Sequence, residues 1–191
     1  MDAPRLASNP RFEVHELLGS GAMGDVFRAT DKARGTQVAI KVLRRLDARS
    51  LLGFKSEFRA IANLTHPNIL QLYDLIAEGD EWLLVMELVT GTDFLRFVRP
   101  SASGETTSGD ADFETFASAT FTGPADVEEH ASVARSKREH RVQPRRRAAL
   151  GPLHEGRLRG ALRQLADGLH ELHQRGFVHR DLKPDNVLVF A

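Results

Sequence analysis

The chain contains no cysteine. Disulfide staples and thiolate-ligated metal centres are therefore excluded as sources of its stability or chemistry. It also lacks an excess of charge of either sign: 26 basic side chains face 26 acidic ones, for a formal net charge of +0. A balanced chain exerts no overall pull on nucleic acid or anionic membrane, so neither is expected as a partner. No uninterrupted apolar run approaches the ~20 residues of a membrane-spanning helix. The opening Met1-Asp2-Ala3-Pro4-Arg5 has no apolar stretch of the kind a secretory signal needs. What is present, 191 residues of which 41% are hydrophobic, suits one globular domain with a real core. Its expected location is the cytoplasm, with no membrane segment.

After a short tail at residues 1–11, residues 12–46 alternate in strand fashion around glycine-rich turns. Phe12, Val14 and Leu17 lead into a glycine loop; Val26 and Phe27 leave it. Val38-Ala39-Ile40-Lys41-Val42-Leu43 is a short apolar strand with one lysine inside it. Leu51, Phe54, Phe58, Ile61 and Leu64 recur at three- and four-residue steps, which predicts a helix over 50–64 ended by Pro67. Strands over Ile69–Leu75 and Trp82–Leu88 follow, separated by Glu78-Gly79-Asp80. Five strands and one helix thus occupy residues 12–89.

Residues 100–152 change character. Ser101–Glu129 carries seven acidic residues and no lysine or arginine, while Arg135–Arg147 carries seven basic residues and one acid. Segregated charge with few branched apolar residues does not offset its ordering entropy, so a disordered insert is expected. The basic half also suits a nucleic-acid patch, but no aromatics interleave its arginines, and a solvated tail is the simpler account. Regular structure resumes near Leu153. Leu158, Leu162, Leu165, Leu169 and Leu172 form one apolar helix face, and Gly176 stands where a C-terminal cap is expected.

Three motifs carry chemistry. The first is Gly19-Ser20-Gly21-Ala22-Met23-Gly24-Asp25-Val26. Backbone N–H groups cradle phosphate only where no Cβ blocks their approach, hence the spaced glycines. A lone G-x-G-x-x-G also suits dinucleotide binding, but that motif opens a helix; here a strand follows, and the loop reads as a hairpin over phosphates. The second is Lys41, a charge within an apolar strand, which is costly unless paired. Either it reaches solvent at an edge, or it pairs with nucleotide phosphates and a glutamate on the next helix, for which Glu57 is the candidate. The third is His179-Arg180-Asp181-Leu182-Lys183-Pro184-Asp185-Asn186. There Asp181 can accept and orient a substrate hydroxyl proton, Lys183 can neutralise a transferring phosphoryl group, and Asn186 offers a carbonyl oxygen to magnesium. Strands at Phe177-Val178 and Val187-Leu188-Val189 are expected to hold this loop. His179 and His66 read as structural.

In this order, the motifs resemble the eukaryotic-like serine/threonine protein kinases of bacteria over residues 12–99 and 153–190. Leu182-Lys183-Pro184 is similar to the serine/threonine type rather than the tyrosine type. The resemblance implies an α+β fold: a five-stranded antiparallel sheet with one helix, then a partial helical lobe over 153–191. It implies ATP and magnesium as cofactors and a protein substrate with a serine or threonine acceptor. Lys41 and Glu57 would form an ion pair. Gly19, Gly21 and Gly24 would cover the phosphates, and Leu18, Val26, Ala39 and Leu188 would enclose the adenine. Met86 would be the gatekeeper, Glu87 and Val89 the hinge, Asp181 the catalytic base and Asn186 a magnesium ligand. The family's Asp-Phe-Gly metal site would follow Asn186 by about a dozen residues, and the sequence ends at Ala191. The expectation is therefore a truncated kinase with impaired transfer. The alternatives are a non-catalytic nucleotide-binding or interaction module, or a gene remnant.

Overall fold

A computed structural model describes residues 5–21, 24–43, 48–101 and 150–190. Three strands come first, β1 (Phe12–Gly21), β2 (Gly24–Asp31) and β3 (Thr36–Leu43), followed by helix α1 (Ala48–Ile61). Strands β4 (Leu72–Glu78), β5 (Glu81–Glu87) and the short β6 (Thr92–Asp93) precede helix α2 (Phe94–Val98). Helix α3 (Glu155–Gln174) leads to a 3₁₀ turn at Pro184–Asn186 and a two-residue strand, β7 (Leu188–Val189). The first five strands form one sheet in the order β1-β2-β3-β5-β4, every pair antiparallel.

The alternation in β3 sorts its side chains between two cores. Ala39 and Leu43 join Val26, Ile61, Leu64, Leu84 and Met86 in a core beside α1. Val38, Ile40 and Val42 join Phe12, Ala29, Leu83 and Val85 in another. Because successive strand side chains point to opposite faces, Lys41 shares the first face with Ala39 and Leu43.

The segment before residue 12, read from the sequence as a tail, is part of this fold. Arg5–Ser8 forms a 3₁₀ turn, and Leu6 is wholly buried in the second core. Arg11 donates to both carboxylate oxygens of Asp31, at 3.0 and 2.7 Å, and to Asp74 at 2.8 Å. Asp31 has no exposed surface. The Arg11 guanidinium outweighs the cost of burial and holds the Asp31 carboxyl below its ordinary range.

Other boundaries shift by a few residues. The strand expected at Ile69–Leu75 runs from Leu72 to Glu78. Its predicted start is taken up by a turn after Pro67, where a His66–Ile69 bridge forms and His66 Nδ1 accepts the Asn68 amide at 3.1 Å. The expected strand at Phe177-Val178 does not form. Phe177 N–H caps α3 instead, donating to Leu172 carbonyl at 3.0 Å, while Gly176 N–H donates to His173 carbonyl at 2.9 Å. With Gly176 at φ +79, this is the glycine-terminated helix cap that its position suggested.

The leucine stripe is covered unevenly. Leu172 is buried, Leu158, Leu165 and Leu169 are half-buried, and Leu162 is exposed. The charged insert lies almost wholly outside the described residues, as does the Ala22-Met23 tip of the glycine loop. The chain on either side of the insert meets across it. Gly151 N–H donates to Arg99 carbonyl at 3.3 Å and His154 N–H to Val98 carbonyl at 2.8 Å.

Candidate active site

The glycine loop joins β1 to β2, with Gly21 paired to Gly24 and Gly19 to Val26. Gly24 is required by its surroundings. A Cβ there would lie 1.8 Å from the Val42 carbonyl oxygen, and its φ is +141. Beneath the loop, Val26 pairs with Lys41 in β3, and Lys41 with Leu84 in β5. Lys41 is only 3% exposed, and burial lowers its pKa from 10.5 to about 8. Removal from water penalises the ammonium, since the neutral amine is cheaper to bury.

Glu57 lies in α1 and is also buried. Burial raises its pKa, and the charge that opposes the rise is the Arg180 guanidinium. Its Oε2 has no hydrogen-bond partner among the described residues. Arg180 itself occupies the left-handed region at φ 59. Non-glycine residues rarely adopt that conformation, and it concentrates at functional loops.

The loop at 179–186 is tightly cross-linked. Asn186 Nδ2 donates to the Asp181 backbone carbonyl at 2.7 Å and to its carboxylate at 2.9 Å. Lys183 Nζ lies 3.1 Å from the same carboxylate. These donors, Lys183 foremost, hold the Asp181 carboxyl below its ordinary range. Burial pushes the His179 imidazole down, and its Nδ1 is buried without a partner. The loop is steadied from its far side, where Leu188 and Val189 pair with Asp93 and Thr92. The last strand is therefore partnered.

The adenine-contact candidates fall into two sets. Val26, Ala39 and Met86 are packed in the first core, with Leu18 against it. Glu87, Val89 and Leu188 instead border a cavity of about 710 Å³ that also reaches Glu57, His179 and Asn186. Among the described residues no group of three or more His, Cys, Asp or Glu side chains could hold a metal ion. Asn186 does fit as one magnesium ligand. With Nδ2 committed to Asp181, its Oδ1 is buried and has no partner. No helix among the described residues is long and apolar enough to cross a membrane.

Two contributors escaped sequence reasoning. Arg180 reads as a spacer between His179 and Asp181, and only its position within the loop hinted at a role. Arg11, in the segment read as a tail, carried no signal beyond preceding Phe12.

Residues 12–191 match the family model for protein tyrosine and serine/threonine kinase. The serine/threonine-protein kinase pkn2 of Myxococcus xanthus is 30% identical over 187 residues, covering 96% of this chain and 16% of that protein. PkaA of Streptomyces coelicolor, also a serine/threonine-protein kinase, is 30% identical over 193 residues, covering 94% of this chain and 26% of its own. PrkC of Bacillus subtilis, another, is 26% identical over 182 residues, covering 94% and 20% respectively. The chain thus spans between 16% and 26% of the length of these relatives.

Proposed function

Because the chain belongs to the protein tyrosine and serine/threonine kinase family, we propose that it binds ATP with magnesium and serves transfer of the γ-phosphate to serine or threonine hydroxyls of proteins. The observation that carries this reading is the Asp181–Lys183–Asn186 cluster, in which one amide holds the aspartate and leaves its own oxygen free. Magnesium, when bound, would neutralise charge on the phosphates, with Asn186 Oδ1 among its ligands.

The remaining roles follow from the residues. Asp181, kept ionised by Lys183 and Asn186, accepts a hydrogen bond from the incoming hydroxyl and orients it. A carboxylate held so acidic is a weak base, so positioning is its main contribution, which suits a reaction governed by alignment and charge. Lys183 stands beside it as a cation for the migrating phosphoryl group. Lys41 meets the phosphates from beneath the glycine loop, and their charge would raise its lowered pKa again. The Glu87 backbone N–H is already used by Gln71 carbonyl at 2.9 Å. Its carbonyl and the backbone of Val89 are the groups we assign to the adenine edge.

Titration with a fluorescent ATP analogue, with and without magnesium, tests the reading. Lys41→Ala is expected to weaken binding, and equal binding by wild type and variant would sink it. Lys41 near pKa 8 adds a second readout. At pH 9 most of the free lysine is neutral, so ATP binding should draw in a proton, visible as a binding enthalpy that changes with buffer. Transfer by the 191-residue polypeptide assayed alone is expected to fall below detection, since the described residues supply one evident metal ligand, Asn186. Radiolabel incorporation above an Asp181→Asn blank would refute that.

A second reading is a nucleotide or partner-binding module without transfer. It is favoured by Val26 and Ala39, both closed to solvent, and by a Glu57 whose opposing charge is the Arg180 guanidinium. Nucleotide binding without transfer, in any longer form of the chain, would decide for it.

A further inference from the structure

Gln71 lies between Leu70 and Leu72, half-buried, at the entry to β4. Its side-chain nitrogen donates to two carbonyls, those of Ala62 and Leu72, each at 3.0 Å. Its side-chain oxygen accepts from the Thr65 hydroxyl at 3.1 Å. Two carbonyls can only accept, so the contacts agree on which end of the amide carries the donors. The Gln71 backbone reaches the other way. Its carbonyl accepts from the Glu87 N–H at 2.9 Å, and its N–H donates to Glu87 Oε2 at 3.3 Å.

One residue therefore joins the end of the Glu57 helix to the hinge strand. The final carbonyls of a helix have no partner within it. Ala62 N–H closes the last turn of α1 onto Phe58 carbonyl at 2.7 Å, and the Ala62 carbonyl receives its donor from Gln71. Elsewhere α1 meets this core through the apolar packing of Phe54, Phe58 and Ile61 and through the Lys55 ammonium, 4.2 Å above the Trp82 ring at the far end of β5. Apolar packing is non-directional and lets a helix slide. A hydrogen bond sets distance and angle together.

We infer that Gln71 is a positioning residue that couples nucleotide contact at Glu87 to the placement of Glu57 across the same cavity. It touches no reacting atom. It acts through the helix end on one side and the hinge on the other. The inference rests on the nucleotide-site reading above, and its test separates the two.

The affinity of a fluorescent ATP analogue with magnesium is measured for wild type, Gln71→Glu, Gln71→Lys, Glu57→Gln and the Gln71→Glu/Glu57→Gln double variant. Gln71→Glu keeps the shape but turns acceptors toward the two carbonyls, whereas Gln71→Lys restores donors. Gln71→Glu is expected to weaken binding about tenfold, within the usual range of coupling between sites. Gln71→Lys should recover most of that loss. In the Glu57→Gln background, Gln71→Glu should cost little more, because both changes strike one coupled unit. Additive losses, equal losses for the Lys and Glu variants, or a Glu57→Gln protein that binds like wild type would overturn the coupling. If Gln71→Glu does not melt cooperatively, Gln71→Met removes the donors without adding charge and carries the same cycle. A wild type with no nucleotide affinity overturns the nucleotide-site reading and the coupling with it. A wild type that binds, with an indifferent Gln71→Glu, overturns the coupling alone.

Discussion

Ile40, in the middle of β3, has no exposed surface, while Leu162, in the middle of α3, leaves 46% of its own to solvent. Both sit in regular elements with clear apolar periodicity. The difference lies in what the chain folds against them. The sheet is closed on one face by α1 and the first core, and on the other by Leu6, Phe12 and their neighbours. Among the described residues α3 is closed along one edge, where Gly168 and Leu172 are buried. A Cβ at Gly168 would come within 3.0 Å of the Asn68 carbonyl oxygen, which is how closely α3 meets the turn before β4. Periodicity says which face of an element is apolar. The stability of that face depends on the neighbour it meets.

The contrast can be broken most sharply at the N-terminal edge. Arg11→Ala leaves Asp31 buried, facing the backbone amides of Ala33 and Arg34 and the more distant Arg34 guanidinium. Stranding a buried charge is costly, and a loss of about 3–4 kcal/mol is expected in a denaturant melt. A loss below about 1 kcal/mol would mean the segment before β1 is peripheral after all.

Leu6→Ala is expected to cost about 2–3 kcal/mol, the lost transfer energy of a wholly buried leucine plus the gap it leaves. The same melt reads it. Retained stability would separate the second core from this turn.

Lys41 sharpens the comparison by pH, as a charge buried in the closed sheet. Its folded pKa of about 8 lies below its ordinary 10.5. Between those values the unfolded chain holds the proton that the folded chain has released, so stability rises with pH through that window. From pH 7 to 9.5 the gain is about 2 kcal/mol relative to Lys41→Met, which lacks the titration. Parallel pH profiles for the two proteins would show that Lys41 keeps its proton.

Leu162→Ala is the smallest expected effect, about 0.5 kcal/mol, because nearly half of that residue's surface is already in water. A loss above 2 kcal/mol would reveal a covering partner for α3 and erase the contrast.

Much of the fold was legible in the sequence for a physical reason. Strand alternation in Val38–Leu43, the three- and four-residue steps of Phe54, Phe58 and Ile61, and the glycine after α3 all encode local geometry. So does the spacing of Asp181, Lys183 and Asn186, which one tight turn brings together. Phe177-Val178 misled because apolar residues after a glycine suit a strand and a helix cap equally. The cap prevailed because it satisfies the last carbonyls of α3.

The sequence by itself determined the local elements, the family-bearing motifs and the residues of the loop at 179–186, since each depends on neighbours within a few positions. Only the tertiary structure decided which charges meet. Arg11 finds Asp31 and Asp74, which lie 20 and 63 residues away along the chain. Glu57 comes under the influence of Arg180, and Gln71 reaches both the end of α1 and Glu87 in β5. Such pairings depend on how sheet, helix and loop pack, and long-range packing leaves no periodic trace in the order of residues.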